Sequence, residues 1–190
     1  MNRFENWFCG TEFWRRTTRE KVLPWILEGS TLGDHVLELG AGPGAATDEL
    51  RKRVAHVTSL EFDHKFAANL RARFVGTNVT VMQGDAASLA FPDGMFSSAI
   101  AILMLHHLRS PEMQDRAFAE IYRVLRRGGI FLAGEIEDDW LHRFVHIRST
   151  FVPLNPKTAQ QRLEAVGFTH ATVTFGNGGF RLRAVKPLTN

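Results

Sequence analysis

The sequence comprises 190 residues, of which 44% are hydrophobic, and carries a formal net charge of +3. This length favours one domain with a sizeable core, and the lack of an apolar run of about 18 residues argues against a membrane-spanning helix. Cys9 is the single cysteine, which excludes an internal disulfide and a cysteine-rich zinc site. Without disulfides or a recognisable secretory signal at its start, the protein is expected in the reducing cytoplasm.

Strand and helix patterns alternate along the chain. The first is a helix near residues 12–28 that bends or restarts around Pro24, because proline interrupts helical hydrogen bonding. Buried-strand patterns follow at 35–40, 56–62, 78–84, 96–105 and 129–135. Helix patterns lie between and after these strands, at 45–54, 64–74, 111–127, around 139–149 and at 156–166.

The helix boundaries are marked by capping residues. Ser110 is the expected N-cap of the helix that begins at Pro111, and Gly128 its expected C′ residue. Asn155 and Gly167 enclose the last helix in the same way. The closing segment, 168–187, contains two strand patterns joined by GNGG, which predicts a β-hairpin.

This order of elements predicts an α/β fold with a mostly parallel sheet and right-handed crossovers. The closing hairpin implies a last strand that runs antiparallel to the others. Ligands in such sheets bind at the carboxyl ends of the strands, near the point where the strand order reverses.

The loop after the first strand carries a nucleotide-binding pattern. Gly40, Gly42 and Ala45 fit G-x-G-x-x-A, and Glu61 lies 21 residues after Gly40. This pattern alone leaves open a nicotinamide or flavin dinucleotide, and also a glycine-rich turn that binds nothing.

Three acidic residues favour a different ligand. Glu38, two residues before the first glycine, would repel a pyrophosphate but suits an ammonium or sulfonium group. Glu61 can accept hydrogen bonds from both ribose hydroxyls, and Asp85 from an adenine amino group. The implied ligand has an amino acid head, a ribose and an adenine, and no phosphate.

Together, the segments VLELGAGPG, GDAASLAFPDGMF, FPDGMFSSAIAILMLHHL and AFAEIYRVLRRGGIFLAGE resemble the class I S-adenosylmethionine-dependent methyltransferases. The resemblance covers about residues 35–136 and is to the small-molecule, ubiquinone/menaquinone methyltransferase-like branch. It implies a Rossmann-like seven-stranded mostly parallel sheet with helices on both faces and an antiparallel C-terminal hairpin strand. Ser97 departs from the aspartate common in the family at the start of the fourth strand, away from the cofactor.

The resemblance implies S-adenosylmethionine as cofactor, with S-adenosylhomocysteine as product. The implied cofactor-binding residues are Glu38, Gly40, Ala41, Gly42, Glu61, Phe62, Asp85, Ala86 and Leu103. It also implies one methyltransferase domain over 1–190, with an N-terminal cap or lid (1–34), a cofactor-binding core (35–136), and substrate-side helices with the closing hairpin (137–190). The N-terminal aromatics Trp7, Phe8, Phe13 and Trp14 are candidates for the sulfonium contact or for ordinary helix packing.

His106 and His107 follow the fourth strand and are the candidate catalytic residues. Either is placed to act as a general base, but the pair is equally compatible with shaping the pocket.

A second polar cluster contains Glu135, Glu137, Asp138, Asp139, His142 and His146. The two histidines share a helix face and suit a metal, but an acidic helix start explains the carboxylates more simply. No metal site is therefore predicted.

The predicted reaction is methyl transfer to a small organic molecule by in-line displacement, with a hydrophobic acceptor favoured. The Asn/Asp-Pro-Pro-aromatic segment of base N-methyltransferases is absent after the fourth strand, where LMLHHL stands, and this disfavours nucleic acid. Methyl transfer to a lipid at a membrane surface, methyl transfer to RNA, and a non-catalytic cofactor-binding role remain the alternatives. The sequence predicts no oligomeric state.

Overall fold

The computed structural model describes residues 7–147 and 149–189, and a seven-stranded sheet organises them. The strands are β1 (His35–Leu39), β2 (His56–Glu61), β3 (Val79–Gln83), β4 (Phe96–Ile102), β5 (Leu125–Ile136), β6 (Thr169–Gly176) and β7 (Gly179–Val185). Their order is β3-β2-β1-β4-β5-β7-β6, and β7 pairs antiparallel with both β5 and β6. The predicted fold class is confirmed, including the antiparallel hairpin strand.

Short and medium helices surround the sheet. They are α1 (Glu12–Thr17), α2 (Leu23–Leu27), α3 (Thr47–Leu50), α4 (His64–Arg73), α5 (Pro111–Val124), α6 (Trp140–Val145) and α7 (Pro156–Val166). A π-helical turn (Thr18–Val22) joins α1 to α2, and a 3₁₀ turn (Leu105–His107) follows β4. Ser110 and Asn155 cap α5 and α7 as predicted, each accepting from a backbone N–H of the first turn.

The π-helical turn explains the interruption expected at Pro24. Proline has no N–H, so it cannot continue the regular i→i−4 ladder. The N–H of Leu23 instead donates to the carbonyl of Thr18, five residues back. The wider turn therefore carries the chain from α1 into α2 without a break.

Several predicted helix boundaries were wrong, including that of the helix expected around 139–149, which ends at Val145. The helix expected over 45–54 has only the four residues of α3. Gly128 is not the C′ residue of α5, because that helix ends at Val124 and β5 begins at Leu125, opposite Phe96. Leu125 is fully buried, so burial beside Phe96 favours the extended conformation over another helical turn.

The two largest buried apolar clusters of the described residues pack against the sheet. Phe118, Phe131 and Phe180 lie in the larger one, which α5 and α7 cover. Leu23 and Ile26 of α2 pack with Val36 and Ile100 in the smaller one. The second half of the segment expected to form an N-terminal cap therefore belongs to the core.

The strand order places a crevice at one edge of the sheet. β1 lies between β2 and β4, both parallel to it, and the chain order reverses there. The carboxyl ends of these strands open toward the crevice, where ligands bind in sheets of this kind. No helix in the described part of the chain is long and apolar enough to cross a membrane.

Candidate active site

A cavity of about 520 Å³ occupies the crevice at the carboxyl ends of β1, β2, β3 and β4. All nine residues implied as cofactor contacts line it: Glu38, Gly40, Ala41, Gly42, Glu61, Phe62, Asp85, Ala86 and Leu103. They lie on separate elements of the chain, which the parallel sheet brings to one edge.

Two glycines of the loop after β1 are required for different reasons. Gly40 has φ +72°, and a Cβ on it would lie 2.3 Å from the Cγ of Met104. Gly42 has φ +52°, and a Cβ there would meet no atom within 4 Å. Gly40 thus allows a close internal contact, whereas Gly42 keeps the backbone open to the cavity.

Glu38 is a buried carboxylate in the cavity wall, only 3% exposed. Its Oε2 accepts hydrogen bonds from Thr47 Oγ1 and Ser59 Oγ, each at 2.6 Å. Burial raises the pKa of this carboxyl, and the nearby charge of Glu61 adds to the effect. A cationic ligand in the cavity would offset that cost.

Glu61 and Asp85 are held by backbone N–H groups. Glu61 accepts from the N–H of Gly42 at 2.7 Å through Oε2 and from that of Asp63 at 2.8 Å through Oε1. Asp85 Oδ1 accepts from the N–H of Ala87 at 2.9 Å. Burial raises the pKa of Glu61. Each carboxylate retains lone pairs for further hydrogen bonds, so ribose or adenine contacts remain compatible with this geometry.

The charges around the cavity are mainly negative. Glu38, Glu61, Asp63 and Asp85 line it, and Arg109 is the one Lys or Arg among the described lining residues. This balance suits a ligand with positive charge, such as a sulfonium that also carries an ammonium, and disfavours a pyrophosphate.

The two candidate catalytic histidines occupy different positions. His107 lines the cavity, whereas His106 is 2% exposed and lies behind it. The Nδ1 of His106 is 2.6 Å from Oε2 of Glu135, and the Nδ1 of His107 is 3.0 Å from the carbonyl oxygen of Thr150. Only His107 is therefore placed to contact a molecule in the cavity.

The four N-terminal aromatic residues also differ in position and exposure. Trp14 lines the cavity, and Phe8 packs against it with ring centroids 5.5 Å apart. Trp7 and Phe13 are largely exposed. Residues 1–6 of the predicted cap lie outside the described residues.

Several lining residues were missed by the sequence analysis: Cys9, Thr18, Leu108, Arg109, Met113 and Thr150. Arg109 and Met113 follow shortly after the histidine pair, and Cys9 and Thr18 lie within the predicted cap. Thr150 lies within the predicted substrate-side segment, but tertiary folding alone selects which residues of that segment reach the cavity.

Among the described residues, Asp139 is the acid of the 135–139 segment whose carboxylate contacts the His142 ring, with Oδ2 2.9 Å from Nδ1. Asp139 caps α6 by accepting from the N–H of His142, and Asp138 pairs with Arg143. Glu135 instead turns inward to the 3₁₀ turn, where it accepts from two backbone N–H groups.

The sequence profile described as a methyltransferase domain matches residues 37–133, about half of the chain. The chain belongs to the class I S-adenosylmethionine-dependent methyltransferases. The cofactor of this family is S-adenosylmethionine, as the resemblance implied.

Three relatives of this methyltransferase are similar to it over different parts of the chain, and two of their names state a substrate. A probable S-adenosylmethionine-dependent methyltransferase of Mycolicibacterium smegmatis is 29% identical over 164 residues, which is 86% of this chain and 59% of that protein. A probable ribosomal RNA small subunit methyltransferase A of Haloarcula marismortui is 41% identical over 92 residues, 44% of this chain and 32% of that protein. A demethylmenaquinone methyltransferase of Thermobifida fusca is 32% identical over 120 residues, 62% of this chain and 47% of that protein.

The methyltransferase therefore spans between about a third and three fifths of the length of these relatives. Among solved structures, a putative methyltransferase of Haloferax volcanii in complex with the Trm112 activator superposes with a TM-score of 0.79. It is 16% identical, and the superposition covers 97% of this chain and 96% of that one. This likeness concerns the fold.

Proposed function

We propose that this methyltransferase transfers the methyl group of S-adenosylmethionine to a small, partly apolar organic molecule. The observation that carries the proposal is the cavity, whose acids lie on the glycine-loop side and whose Leu108, Met113 and Trp14 add apolar surface. Its volume, about 520 Å³, is within the range of small-molecule pockets.

The acidic side of the cavity is the proposed cofactor site. Glu38 supplies negative charge near the loop of Gly40 and Gly42, and Glu61 and Asp85 offer acceptors for the ribose and the adenine. The cofactor supplies an electrophilic methyl group, so the residues of this chain need mainly to align the acceptor and exclude water.

The side lined by His107, Leu108 and Met113 is the proposed acceptor site. His107 is the candidate for direct contact with the acceptor. His106 is a positioning residue, because it is buried behind the wall and bonded to Glu135.

The test is a thermal-shift comparison of S-adenosylmethionine, S-adenosylhomocysteine and NAD at equal concentrations. The two methionine-derived ligands should raise the melting temperature more than NAD, since a ligand at 100 times its Kd adds about 2.7 kcal/mol to stability. A larger shift with NAD would contradict the proposed site.

Methyl transfer to RNA is the second candidate, favoured by the identity of 41% to the Haloarcula marismortui relative over 92 residues. The cavity itself argues against it, because four carboxylates and a single arginine line the described wall. Phosphates bind where lysine and arginine cluster.

A further inference from the structure

Three histidine rings meet beside the cavity. His106 and His107 belong to the 3₁₀ turn after β4, and His146 directly follows α6. One ligand nitrogen of each ring lies within 4.8 Å of those of the other two. The ring centroid of His106 lies 4.3 Å from that of His107 and 5.0 Å from that of His146.

Each ring is oriented by a hydrogen bond from Nδ1 to an oxygen. The partners are Oε2 of Glu135 for His106 (2.6 Å), the carbonyl of Thr150 for His107 (3.0 Å) and the carbonyl of His142 for His146 (2.6 Å). A carbonyl oxygen only accepts, so the proton of a neutral His107 or His146 ring lies on Nδ1. The lone pair of that tautomer is on Nε2, the nitrogen suited to binding a metal.

Glu135 supplies the negative charge that a metal site formed by these histidines needs. It is 2% exposed, and its Oε1 accepts from the N–H groups of Met104 (3.0 Å) and Leu105 (2.7 Å). A carboxylate that accepts from the Nδ1 of a ligand histidine fixes the ring and increases its basicity. A divalent cation among the rings would balance this buried negative charge.

Phe151 and the cavity both border the three histidines. Phe151 stacks on His146 at 4.4 Å and meets His106 edge-on at 5.5 Å, which forms an apolar backing. His107 forms part of the cavity wall. Because His107 lines the cavity, the fourth coordination position of a metal held by the three rings would face the cavity.

We propose that His106, His107 and His146 form a binding site for a zinc-like divalent transition metal. Three imidazoles with one open position are a ligand set of catalytic zinc, and imidazole also suits copper, iron and nickel. The fourth ligand would be a hydroxyl or phenol oxygen of the methyl acceptor, and this role rests on the proposed function. Metal binding itself does not depend on it.

The ligand set differs from the one suggested by sequence spacing. His142 and His146 share a helix face, but the Nδ1 of His142 lies 2.9 Å from Oδ2 of Asp139. His142 contributes its backbone carbonyl to the orientation of His146, and its side chain is not part of the triad. Zinc–nitrogen bonds are about 2.0–2.1 Å long, so a bound zinc ion would bring the three rings closer together than they are in this structure.

The experiment measures metal binding on the full chain after treatment with a chelator. Titration with Co²⁺ should show one equivalent bound, with the visible absorption of a four-coordinate site, and Zn²⁺ should displace it. His107→Gln and His146→Gln should each abolish the one-equivalent binding. Glu135→Gln should weaken it by about 10–100-fold, the usual effect of losing an orienting carboxylate.

His142→Gln is the matched control, because it removes an imidazole from the same helix and leaves the backbone carbonyl in place. Its Co²⁺ affinity and spectrum should equal those of the unaltered protein. Thermal shifts with S-adenosylhomocysteine verify that each variant is folded.

Three results would overturn the assignment: no one-equivalent binding by the unaltered chain, undiminished binding by His107→Gln or His146→Gln, or loss of binding in His142→Gln. The outcomes also separate the two proposals. If the protein binds no metal but its melting temperature rises normally with cofactor, only the metal site is contradicted. If it binds one metal but its melting temperature does not rise with cofactor, only the proposed function is contradicted.

Discussion

Glu38 occupies a position that weakens the folded protein in the absence of a ligand. Its carboxyl is buried, and its neighbours include two other acids, Glu61 and Asp48, whose charges raise its pKa further. Within residues 7–147 and 149–189, the hydroxyls of Thr47 and Ser59 are the groups that compensate through hydrogen bonds. Such strain is common where a site is arranged for its ligand instead of for stability.

Glu38→Gln should stabilise the ligand-free protein at neutral pH and weaken its binding of S-adenosylmethionine. The folded pKa is raised from the usual 4.5, so the folded state binds the proton more tightly than the unfolded state does. The stability of the unaltered protein therefore falls as the pH rises from 4.5 through the folded pKa. The gain in melting temperature on substitution should grow over that range, at about 2–4 °C per kcal/mol.

Melting curves at several pH values, with and without cofactor, check this prediction. Equal melting temperatures of both proteins at neutral pH would show that Glu38 is not strained.

The glycines of the loop allow a matched pair of substitutions. In Gly40→Ala, positive φ adds strain of about 1–2 kcal/mol, and the contact with Met104 adds overpacking of about 1–3 kcal/mol. In Gly42→Ala only the strain applies, because no atom lies within 4 Å of the new Cβ.

Chemical denaturation should therefore show the larger loss of stability for Gly40→Ala. Calorimetric titration should show that Gly42→Ala reduces cofactor affinity although it is the more stable variant. The opposite order of stabilities would mean that Met104 moves aside without cost.

The N-terminal region divides at its π-helical turn. α1 contributes no buried residue, whereas α2 contributes Leu23 and Ile26 to the core. Trp14 of α1 lines the cavity. The first part of the region thus has the properties expected of a lid, and the second part those of a core helix.

Deleting residues 1–16 should leave the sheet folded and reduce cofactor affinity or turnover. The contrasting variant is Leu23→Ala, which should cost about 2–5 kcal/mol because it removes a fully buried side chain. Circular dichroism and melting curves test the fold, and calorimetry tests the affinity. An unfolded deletion variant would show that the first 16 residues belong to the core.

The charge of the whole molecule and the charge of its cavity have opposite signs. The chain carries a formal net charge of +3, but acids predominate along the cavity wall. Most basic residues therefore lie away from the cavity, and the proposed small-molecule acceptor agrees with this distribution of charge.

Methyl transfer should accordingly depend little on ionic strength when the acceptor is a small neutral quinone or phenol. An RNA acceptor held by 6–10 phosphate contacts would instead lose affinity by about 10³–10⁵ between 50 and 200 mM salt. Initial rates with radiolabelled cofactor, measured for both acceptor classes across this range, distinguish them. Efficient transfer to RNA with a steep salt dependence would overturn the small-molecule assignment.

The sequence by itself determined the features that depend on neighbouring residues. The alternation of strands and helices, the caps at Ser110 and Asn155, and the glycine loop with its flanking acids are all local patterns. Parallel strands align their carboxyl ends, so residues that follow different strands could be assigned to one cavity before any distance was known.

Only the tertiary structure decided which side chains meet across elements. Leu125 is extended because burial beside Phe96 overrides the helical pattern of the preceding residues. Glu135 is held by hydrogen bonds to the turn after β4, and His146, which follows α6, packs against His106 of that same turn. Contacts between residues so distant in the chain are set by tertiary packing. They therefore produce no hydrophobic periodicity from which the sequence could predict them.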